Sequence, residues 1–348
     1  MWYVIREVAG MSATIKDIAR LANVSHTTVS RALNDSPLIN KETKERIKEI
    51  ARRLNYSPNV SAKSLVLDRS YNIGLFFSTL RAGTSSTFFY ETVKGINRVI
   101  SHPYNLVVKG IDDYADLKLI TRKSFDGVIL MSQSADDREF IETMLEKEIP
   151  LIVLNRRVEP ANVVNILADD ELGAFNIVDY IVRLGHRNIA LIEGKRGFQS
   201  SLRRKAGYER ALKLHGIAVR EEYCVPGSYD VESGYRGMKR LLKLADRPTA
   251  VFCSNDDMAV GALKACSEVG LKVPEHISIA GFDDNHFSAY LTPALTTVKR
   301  PIEQISRFGA ERLFDAIGQG RMQPETIYVE TELVIRESVQ APGGGRGE

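Results

Sequence analysis

Residues 14–34 read TIKDIARLANVSHTTVSRALN, and this stretch decides the fold of the N-terminal part of the chain. Thr14 stands three residues before Asp17, which is the spacing of a capping box, and Ser25 is a second residue of the type that begins helices. Only residues 22–24 separate the two helical patterns. The apolar residues at inward-facing helical positions are Ile15, Ile18, Leu21, Val29, Ala32 and Leu33. The stretch therefore predicts two short helices joined by a tight turn.

A third helix is predicted to begin after Asn40, and it shows two distinct faces. Its apolar residues at inward positions are Ile47, Ile50, Ala51 and Leu54. Its outward face carries the cations Lys41, Lys44, Lys48 and Arg52. This face suits phosphate groups, although a plain amphipathic helix presents the same kind of stripe to solvent.

Positive charge is concentrated near the N-terminus. Residues 12–70 contain eleven Lys and Arg against six Asp and Glu, whereas residues 71–348 contain thirty-five against thirty-seven. A basic module joined to a slightly acidic remainder is typical of a chain that binds a polyanion through one part only. The N-terminal segment is therefore predicted to contact a phosphate backbone.

Residues 60–67, VSAKSLVL, are long enough for two helical turns, with Pro58 near their start. An isolated helix of this length is marginally stable in water. We expect the segment to fold only against a partner chain or DNA, which makes it a candidate switch element.

From Asn72 onward, nearly continuous apolar segments alternate with helical patterns, which include residues 88–100 and 117–123. The apolar segments are residues 73–77, 106–108, 127–131, 151–154, 163–168, 189–192, 250–253 and 277–280. Apolar strands separated by helices indicate parallel sheets that are covered on both faces. Because these units are too many for one sheet, we expect two doubly wound α/β lobes.

Several classes of protein are not expected. No apolar run reaches the roughly 18 residues that span a bilayer, and the opening MWYVIREVAG lacks the features of a secretory leader, so we expect a cytoplasmic protein without membrane contact. Cys224, Cys253 and Cys266 show no C-x-x-C spacing, and the six histidines form no cluster, so neither a metal nor a cofactor is expected. No nucleophile elbow, phosphate loop or complete G-x-G-x-x-G motif argues for an enzyme.

Four motifs together resemble the LacI/GalR (lactose-repressor/galactose-repressor) family. They are TIKDIA at residues 14–19 with VSHTTVSRALN at residues 24–34, LNYSPN at residues 54–59, SNDDMAVG at residues 254–261, and GFDD at residues 281–284. The resemblance covers the chain from Met11 onward, and Met1–Gly10 lie outside it. It implies an all-α helix-turn-helix DNA-binding domain followed by a periplasmic-binding-protein-like effector domain of two doubly wound α/β lobes.

This reading divides the chain into five parts. Residues 1–11 are an N-terminal extension, 12–57 the helix-turn-helix domain, 58–70 the hinge helix and linker, 71–340 the two-lobed effector and dimerisation domain, and 341–348 a flexible tail. The N-terminal lobe is expected at about 71–168 and 301–323, and the C-terminal lobe at about 169–300 and 324–340.

In a helix-turn-helix the second helix enters the major groove, so its early residues His26 and Thr27, and Arg31 one turn later, are predicted to face base edges. Arg31 can donate two hydrogen bonds to guanine. By resemblance, phosphate contacts are expected from Thr14, Ser25, Thr28, Ser30, Asn34 and Tyr56. Thr14 and Ser25 also suit plain helix capping, and Tyr56 a place in the core.

The resemblance further implies a hinge helix in the minor groove, with DNA-contacting residues Asn59, Ala62 and Leu65. Leu65 would wedge between the central base pairs and kink the duplex, while Ala62 on the same face lets the helix sink into the groove. The alternative role for Leu65 is packing against the partner's hinge helix.

An effector site is expected between the lobes, at the carboxyl ends of their strands. The resemblance places Ser78, Phe88, Asn155, Arg204, Tyr229, Asn255 and Asp283 there. Amide, carboxylate, guanidinium and aromatic groups suit the hydroxyls and ring of a sugar. Asn255 also suits a helix cap, Asp283 a turn and Phe88 the core, and many family members have an acidic residue where Asn155 stands.

The expected function is a homodimeric repressor of carbohydrate-utilisation genes that binds a pseudo-palindromic double-stranded DNA operator and responds to a sugar-like effector. Of the two possible effects of the effector, release of DNA is preferred over a requirement of the effector for DNA binding. Control by a protein co-regulator or a non-sugar metabolite is the alternative, and a sugar-binding protein without a regulatory role is the alternative of another class.

Overall fold

The computed structural model describes residues 13–56, 69–81, 83–158, 163–320 and 323–343. The chain forms two compact units, Met1–Asp68 and Arg69–Glu348. The predicted N-terminal extension, and the hinge segment up to residue 68 with Asn59, Ala62 and Leu65, lie outside the described residues. Within the described part of the chain, no helix is both long and apolar enough to cross a membrane.

The N-terminal unit is a three-helix fold, as predicted. Its helices are α1 (Ile15–Ala22), α2 (His26–Leu33) and α3 (Lys41–Arg53). Ile18, Val29 and Ile47, one from each helix, are fully buried against one another. The apolar positions of the sequence pattern therefore form one small core, and the polar faces are left to solvent.

Side-chain caps set the start of each of these helices. Asp17 accepts hydrogen bonds from both the amide and the hydroxyl of Thr14, at 3.0 and 2.7 Å. The hydroxyl of Ser25 accepts from the amide of Thr28 at 3.1 Å, and Oδ1 of Asn40 accepts from the amide of Thr43 at 2.8 Å. These bonds satisfy amides that the first helical turn leaves without partners.

The first lobe of the C-terminal unit is built on a six-stranded parallel sheet, in the order β11-β5-β4-β3-β1-β2. Its strands are β1 (Asn72–Phe77), β2 (Asn105–Gly110), β3 (Gly127–Met131), β4 (Leu151–Leu154), β5 (Val164–Ala168) and β11 (Glu325–Val329). Helices α4 (Ser86–Asn97), α5 (Arg138–Glu146) and α10 (Ile302–Gln319) cover it.

The second lobe has a four-stranded parallel sheet, in the order β7-β6-β8-β9. Its strands are β6 (Ile189–Ile192), β7 (Cys224–Val225), β8 (Ala250–Cys253) and β9 (Ser278–Ala280). Its helices are α6 (Asp170–Arg183), α7 (Gln199–Leu214), α8 (Val231–Leu241) and α9 (Asp256–Glu268). The predicted pair of doubly wound lobes is thus confirmed.

The chain passes between the lobes three times. It leaves the first lobe after β5, returns after β10 (Thr297–Lys299), and leaves again after β11 to form β12 (Glu332–Val334), which pairs antiparallel with β10. The expected second-lobe segment 324–340 is therefore correct only from β12 onward. β11 pairs with β5 and belongs to the first lobe.

The helix expected at residues 117–123 was wrong. The structure has a single 3₁₀ turn at Leu117–Leu119, where the carboxylate of Asp116 accepts from the amide of Lys118 at 2.8 Å. Thr121 and Ser124 then bond each other in a separate turn. Local side-chain bonds of this kind compete with helix extension.

Candidate functional sites

The exposed side of α2 carries the residues that the sequence predicted to read DNA bases. Val29 and Ala32 face the core, so His26, Thr27 and Arg31 project on the solvent side, and all three are exposed. Thr28 and Ser30 are half-buried beside them, and Asn34 donates from its amide to the carbonyl of Ser30 at 2.9 Å. The predicted base-reading set therefore shares one accessible face.

Three residues with a predicted phosphate contact also have structural roles. Thr14 and Ser25 make the capping bonds described above, and Tyr56 packs against the three-helix core. Thr14 and Ser25 remain exposed, so capping leaves their helix ends open to an anion.

The cationic stripe of α3 is partly engaged within the unit. Nζ of Lys48 lies 2.6 Å from the carboxylate of Asp35, and Nζ of Lys44 donates to the carbonyl of Asp35 at 3.0 Å. The hydrogen bond from Lys48 holds the pKa of Asp35 below its usual value. Lys44 and Lys48 therefore hold the segment after α2 against α3, and they also add positive charge to the surface of the unit.

Between the lobes of the second unit, six of the seven predicted effector residues line one cavity: Phe88, Asn155, Arg204, Tyr229, Asn255 and Asp283. Asn155 follows β4, Asn255 follows β8 and Asp283 follows β9, so the carboxyl ends of strands from both lobes meet here. Phe88 also packs on the first lobe's core. Ser78 lies behind this lining, where its hydroxyl donates to Asp137 at 2.6 Å.

A network of four charged side chains lies at this cavity, three of them in its lining and the fourth, Asp170, beside it. Nη2 of Arg204 lies 3.1 Å from Asp283 and 3.3 Å from Asp170, and its guanidinium also donates to the carbonyl of Ser254. Nε of Arg300 lies 2.8 Å from the same carboxylate of Asp170. Burial opposes the charge of Arg204, but Asp170 and Asp283 outweigh it and raise its pKa. Two buried cations are therefore matched by two carboxylates, Asp170, which is 5% exposed, and Asp283, which is 15% exposed.

Arg300 also donates to Oδ1 of Asn155, while Nδ2 of Asn155 donates to the carbonyl of Ser132 at 2.7 Å. An amide suits this place because one end accepts and the other donates. A carboxylate at position 155 could accept from Arg300 but could not donate to the carbonyl. This explains in physical terms how the chain accommodates Asn where many members of the resembled family have an acidic residue.

Three of the cleft residues adopt a backbone conformation that side chains disfavour. Asn155, Tyr229 and Asp283 have φ values of 74°, 66° and 108°. Such positions are rare outside glycine and are concentrated at functional sites, where the surrounding structure holds them. Oδ1 of Asn255 accepts from the amide of Met258 at 2.9 Å and Nδ2 donates to the carbonyl of Tyr229 at 3.1 Å. Asn255 thus caps α9, and the same side chain also holds the backbone of Tyr229 at the edge of the cleft.

The sequence interpretation missed two charged residues of the network, Asp170 and Arg300. It also missed three polar residues of the lining, Ser85, Gln133 and Ser200. The signal that could have identified the two charged residues is their position shortly after a strand. Asp170 follows β5 and Arg300 follows β10, as the predicted residues follow their strands. In α/β sheets, a charged residue directly after a buried strand is a candidate for the ligand cleft.

The lined cavity is small, with a volume of about 30 Å³. This is room for about one water molecule. The side chains of the network fill the remaining space, so a ligand of sugar size has to displace their mutual contacts or part the lobes.

A second buried carboxylate pair holds the loop that follows Asp283. Asp256 accepts from the amide of Asn285 and the hydroxyls of Ser288 and Thr297, at 2.7, 2.7 and 2.6 Å. Burial raises its pKa to about 8. Burial, aided by the charge of Asp283, raises the pKa of the neighbouring Asp257 to about 6.

Comparison with known proteins gives matches over nearly the whole chain. The family model "Bacterial regulatory proteins, lacI family" matches residues 14–59, and the model "Periplasmic binding protein-like domain" matches residues 178–339. The "Probable HTH-type transcriptional repressor ExuR" of Bacillus subtilis (strain 168) is 53% identical over 327 residues, which are 94% of this chain and 98% of the relative.

Two solved structures share the fold. The lac repressor dimer bound to operator and the anti-inducer ONPF has a TM-score of 0.82 at 27% identity, covering 95% of this chain and 100% of that one. The complex of the transcriptional regulator CelR with cellobiose has a TM-score of 0.71 at 27% identity, covering 94% of this chain and 99% of that one.

Proposed function

The chain belongs to the lacI family of bacterial regulatory proteins, and on that premise we propose that it is a sequence-specific transcriptional repressor controlled by a sugar-like effector. One observation supports the proposal most directly. A small α-helical unit with an exposed polar recognition face is followed, in one chain, by a two-lobed unit whose cleft gathers six predicted effector residues. DNA binding and small-molecule binding are therefore joined in one protein, which works in the cytoplasm where bacterial DNA lies.

On DNA, α2 enters the major groove with His26, Thr27 and Arg31 toward the bases. Arg31 supplies specificity through two bonds to one guanine, whereas the helix starts at Thr14 and Ser25 supply phosphate contacts that fix the register. Because one such unit reads few base pairs, two copies act as a symmetric dimer on a pseudo-palindromic operator. The related lac repressor binds its operator as a dimer.

In the cleft, the hydroxyls of the effector replace contacts that the network now makes within the protein. Arg204 offers donors in a planar fork, Asp283 accepts, and Asn255 lines the same space. The related CelR holds cellobiose, a sugar. Asp283 bridges to Lys299 at the end of β10, and the amide of the next residue, Arg300, donates to the carbonyl of Asp283 at 3.3 Å, so a ligand that rearranges this pair alters how the lobes meet.

We further propose that effector binding releases the operator. The cavity is nearly filled when it contains only the protein's own side chains, so a ligand favours a different lobe arrangement from the one described. Effector and operator therefore favour different arrangements of the lobes, and the arrangement with the nearly filled cavity is the one that binds the operator. Each ligand then weakens binding of the other.

The test is selection of operator sites from random double-stranded DNA with the full chain, followed by titration of a sugar panel into the complex. We expect one selected palindromic sequence and release by one sugar. Arg31→Ala should weaken binding to that sequence about 10-fold or more, as expected for roughly 1–3 kcal/mol of base discrimination. Arg236→Ala, at an exposed residue of α8, is the matched control.

Absence of any sequence preference would reject the DNA-binding proposal. Release by no small molecule, but by a protein added from the same cells, would replace the sugar with a co-regulator. Tighter operator binding with every active ligand would show that the effector promotes DNA binding and does not release it.

A further inference from the structure

A second cavity adjoins the closed one between the lobes, and it is rich in arginine. It shares Asn155 and Ser200 with the first cavity and has a volume of about 280 Å³. Four of its lining residues are cations, Arg156, Arg157, Arg203 and Arg210. The two cavities together reach the lower end of the range for small-molecule sites, roughly 300 Å³.

Each carboxylate that lines the second cavity is already bonded. Asp169 accepts from the amide of Leu172 at 3.0 Å and so caps α6. Asp170 is buried and bonded to Arg204 and Arg300. Glu171 is shared between Arg203 at 3.1 Å and Arg210 at 3.2 Å. None of the three is therefore left to neutralise a further cation.

Arg156 is held differently from the other arginines. Its Nε donates to the hydroxyl of Ser132 at 2.9 Å, and that hydroxyl donates to Asp137 at 2.6 Å. Asp137 also accepts from the hydroxyl of Ser78 at 2.6 Å. One edge of the Arg156 guanidinium is therefore held by the neutral hydroxyl of Ser132, which is itself held by the buried carboxylate of Asp137.

The other edge of Arg156 has no partner among the residues that the structure describes. Among the described residues, no side chain or carbonyl accepts a hydrogen bond from its two terminal amino groups, and no carboxylate lies within ion-pair distance. Burial lowers the pKa of Arg156, and the charge of Asp137 offsets this only in part. A half-buried guanidinium of fixed orientation, whose two terminal amino groups have no acceptor in the described part of the chain, is suited to bidentate recognition of an oxyanion.

We infer that the effector is an anionic sugar derivative, whose hydroxyls occupy the cavity of Arg204 and Asp283 and whose carboxylate or phosphate binds Arg156 in the adjoining cavity. This inference rests on the proposed function and names the ligand class of the same cleft. It also gives a role to Ser78, which lies away from the first cavity but orients Asp137 behind Arg156.

Isothermal titration calorimetry on the full chain tests the inference with matched sets of ligands. Each set contains a neutral hexose, its uronate and its 6-phosphate, in the gluco, galacto and manno configurations. We expect one charged member to bind at least 10-fold more tightly than its neutral parent. A uronate as the tightest ligand indicates a carboxylate site, and a hexose phosphate indicates a phosphate site.

Two variants of Arg156 connect that preference to the residue. Arg156→Gln should abolish the 10-fold preference for the anion, and Arg156→Lys, which keeps the charge but loses the fork, should retain part of it. Arg236→Gln makes the same charge change at an exposed residue of α8 and should leave the preference intact. Thermal unfolding of each variant checks that the fold persists.

The inference is overturned if a neutral hexose binds as tightly as its anions, if no anionic sugar in the sets binds, or if both Arg156 variants keep the full preference. Operator binding in the same preparations separates this from the proposed function. A protein that binds its operator and is released by a neutral sugar keeps the proposed function and loses only the anionic effector.

Discussion

At the scale of single residues, Arg204 connects the two carboxylates of the cleft network. Its side chain is 2% exposed and neutralises Asp283 while it shares Asp170 with Arg300. The guanidinium also lies 3.8 Å from the ring centroid of Phe282, where the aromatic face favours a cation. Removing one member of such a network leaves buried charge without a partner, which costs more than the network itself contributes.

We therefore predict that Arg204→Met lowers the free energy of unfolding of the effector unit by about 3–5 kcal/mol, because the largely buried Asp283 loses its partner and Asp170 loses one of two. Arg203→Met, at the adjacent position with a 62% exposed side chain, should cost less than about 1 kcal/mol. Urea unfolding followed by circular dichroism measures both. Equal losses in the two variants would show that the buried network contributes no more to the free energy of unfolding than the exposed ion pair of Arg203 does.

Asp257 gives a prediction about pH. Its pKa of about 6 in the folded chain lies above the value of 3.8 that an unperturbed carboxyl has, so the folded state holds this proton more tightly than the unfolded chain does. The stability that this provides is complete below about pH 4 and is lost as the pH rises through 6. At neutral pH the ionised carboxylate is therefore a cost to folding.

Asp257→Asn should consequently raise the free energy of unfolding above pH 7 by an amount on the order of 1–3 kcal/mol, and the gain should shrink as the pH falls from 7 toward 4. The amide oxygen can still accept the bond from Nδ2 of Asn285, now 3.0 Å. Thermal unfolding across this range compares variant and parent. A gain that is the same at every pH would rule out titration of Asp257 as its cause.

At the scale of elements, short helices in the N-terminal unit depend on their caps. α1 and α2 have eight residues each, and helices of this length are not stable alone in water. α3 is longer, with 13 residues, but its mean composition is strongly polar and only Ile47 and Ala51 are buried. Its N-cap Asn40 therefore accounts for a substantial part of the stability of its first turn.

Asn40→Ala should cost about 1 kcal/mol in the N-terminal unit, because the amide of Thr43 loses its acceptor. Hydrogen exchange of the α3 amides in the full chain should speed up about fivefold, while exchange in α6 stays the same. Asn40→Ser keeps an acceptor at the cap and should restore protection. Faster exchange in the serine variant as well would point to another role for Asn40.

At the scale of the whole molecule, the two functions proposed for this chain have to be linked energetically. The cleft network joins Asn155 of the first lobe, through Arg300, to Asp170 at the start of the second lobe's α6. A ligand that breaks this connection changes the relation of the lobes, which a symmetric dimer can pass to its DNA-binding units. Such coupling between sites typically amounts to 1–3 kcal/mol.

We predict that the effector weakens operator binding by roughly 5- to 150-fold, and that the operator weakens effector binding by the same factor, because linkage is reciprocal. Fluorescence anisotropy of labelled operator and calorimetry of effector on the DNA complex measure the two factors. Arg300→Met should reduce both factors toward one, since it removes the connection between the lobes. Full coupling in that variant would exclude the Arg300 contact as the link.

The sequence alone determined the three N-terminal helices and the α/β class of the rest of the chain, but not the turn at Leu117–Leu119 or the strand β11. Periodicity and capping residues located α1, α2 and α3, and alternating apolar strands with helices predicted two parallel-sheet lobes, because these signals depend on neighbours along the chain. The family resemblance also identified six residues that line the cleft. Ser78 was assigned there as well, although it lies behind the lining, because sequence position does not specify the direction of a side chain.

Only the tertiary structure decided what joins the lobes. The pairing of β11 with β5, and the meeting of Asp170, Arg204 and Arg300, involve residues far apart in the chain. Whether a charged residue is buried and which partner neutralises it are properties of the folded surroundings, since the cost of burial is set by groups brought together in three dimensions. The arginine-lined cavity likewise exists because three crossings bring the ends of separate strands and helices together.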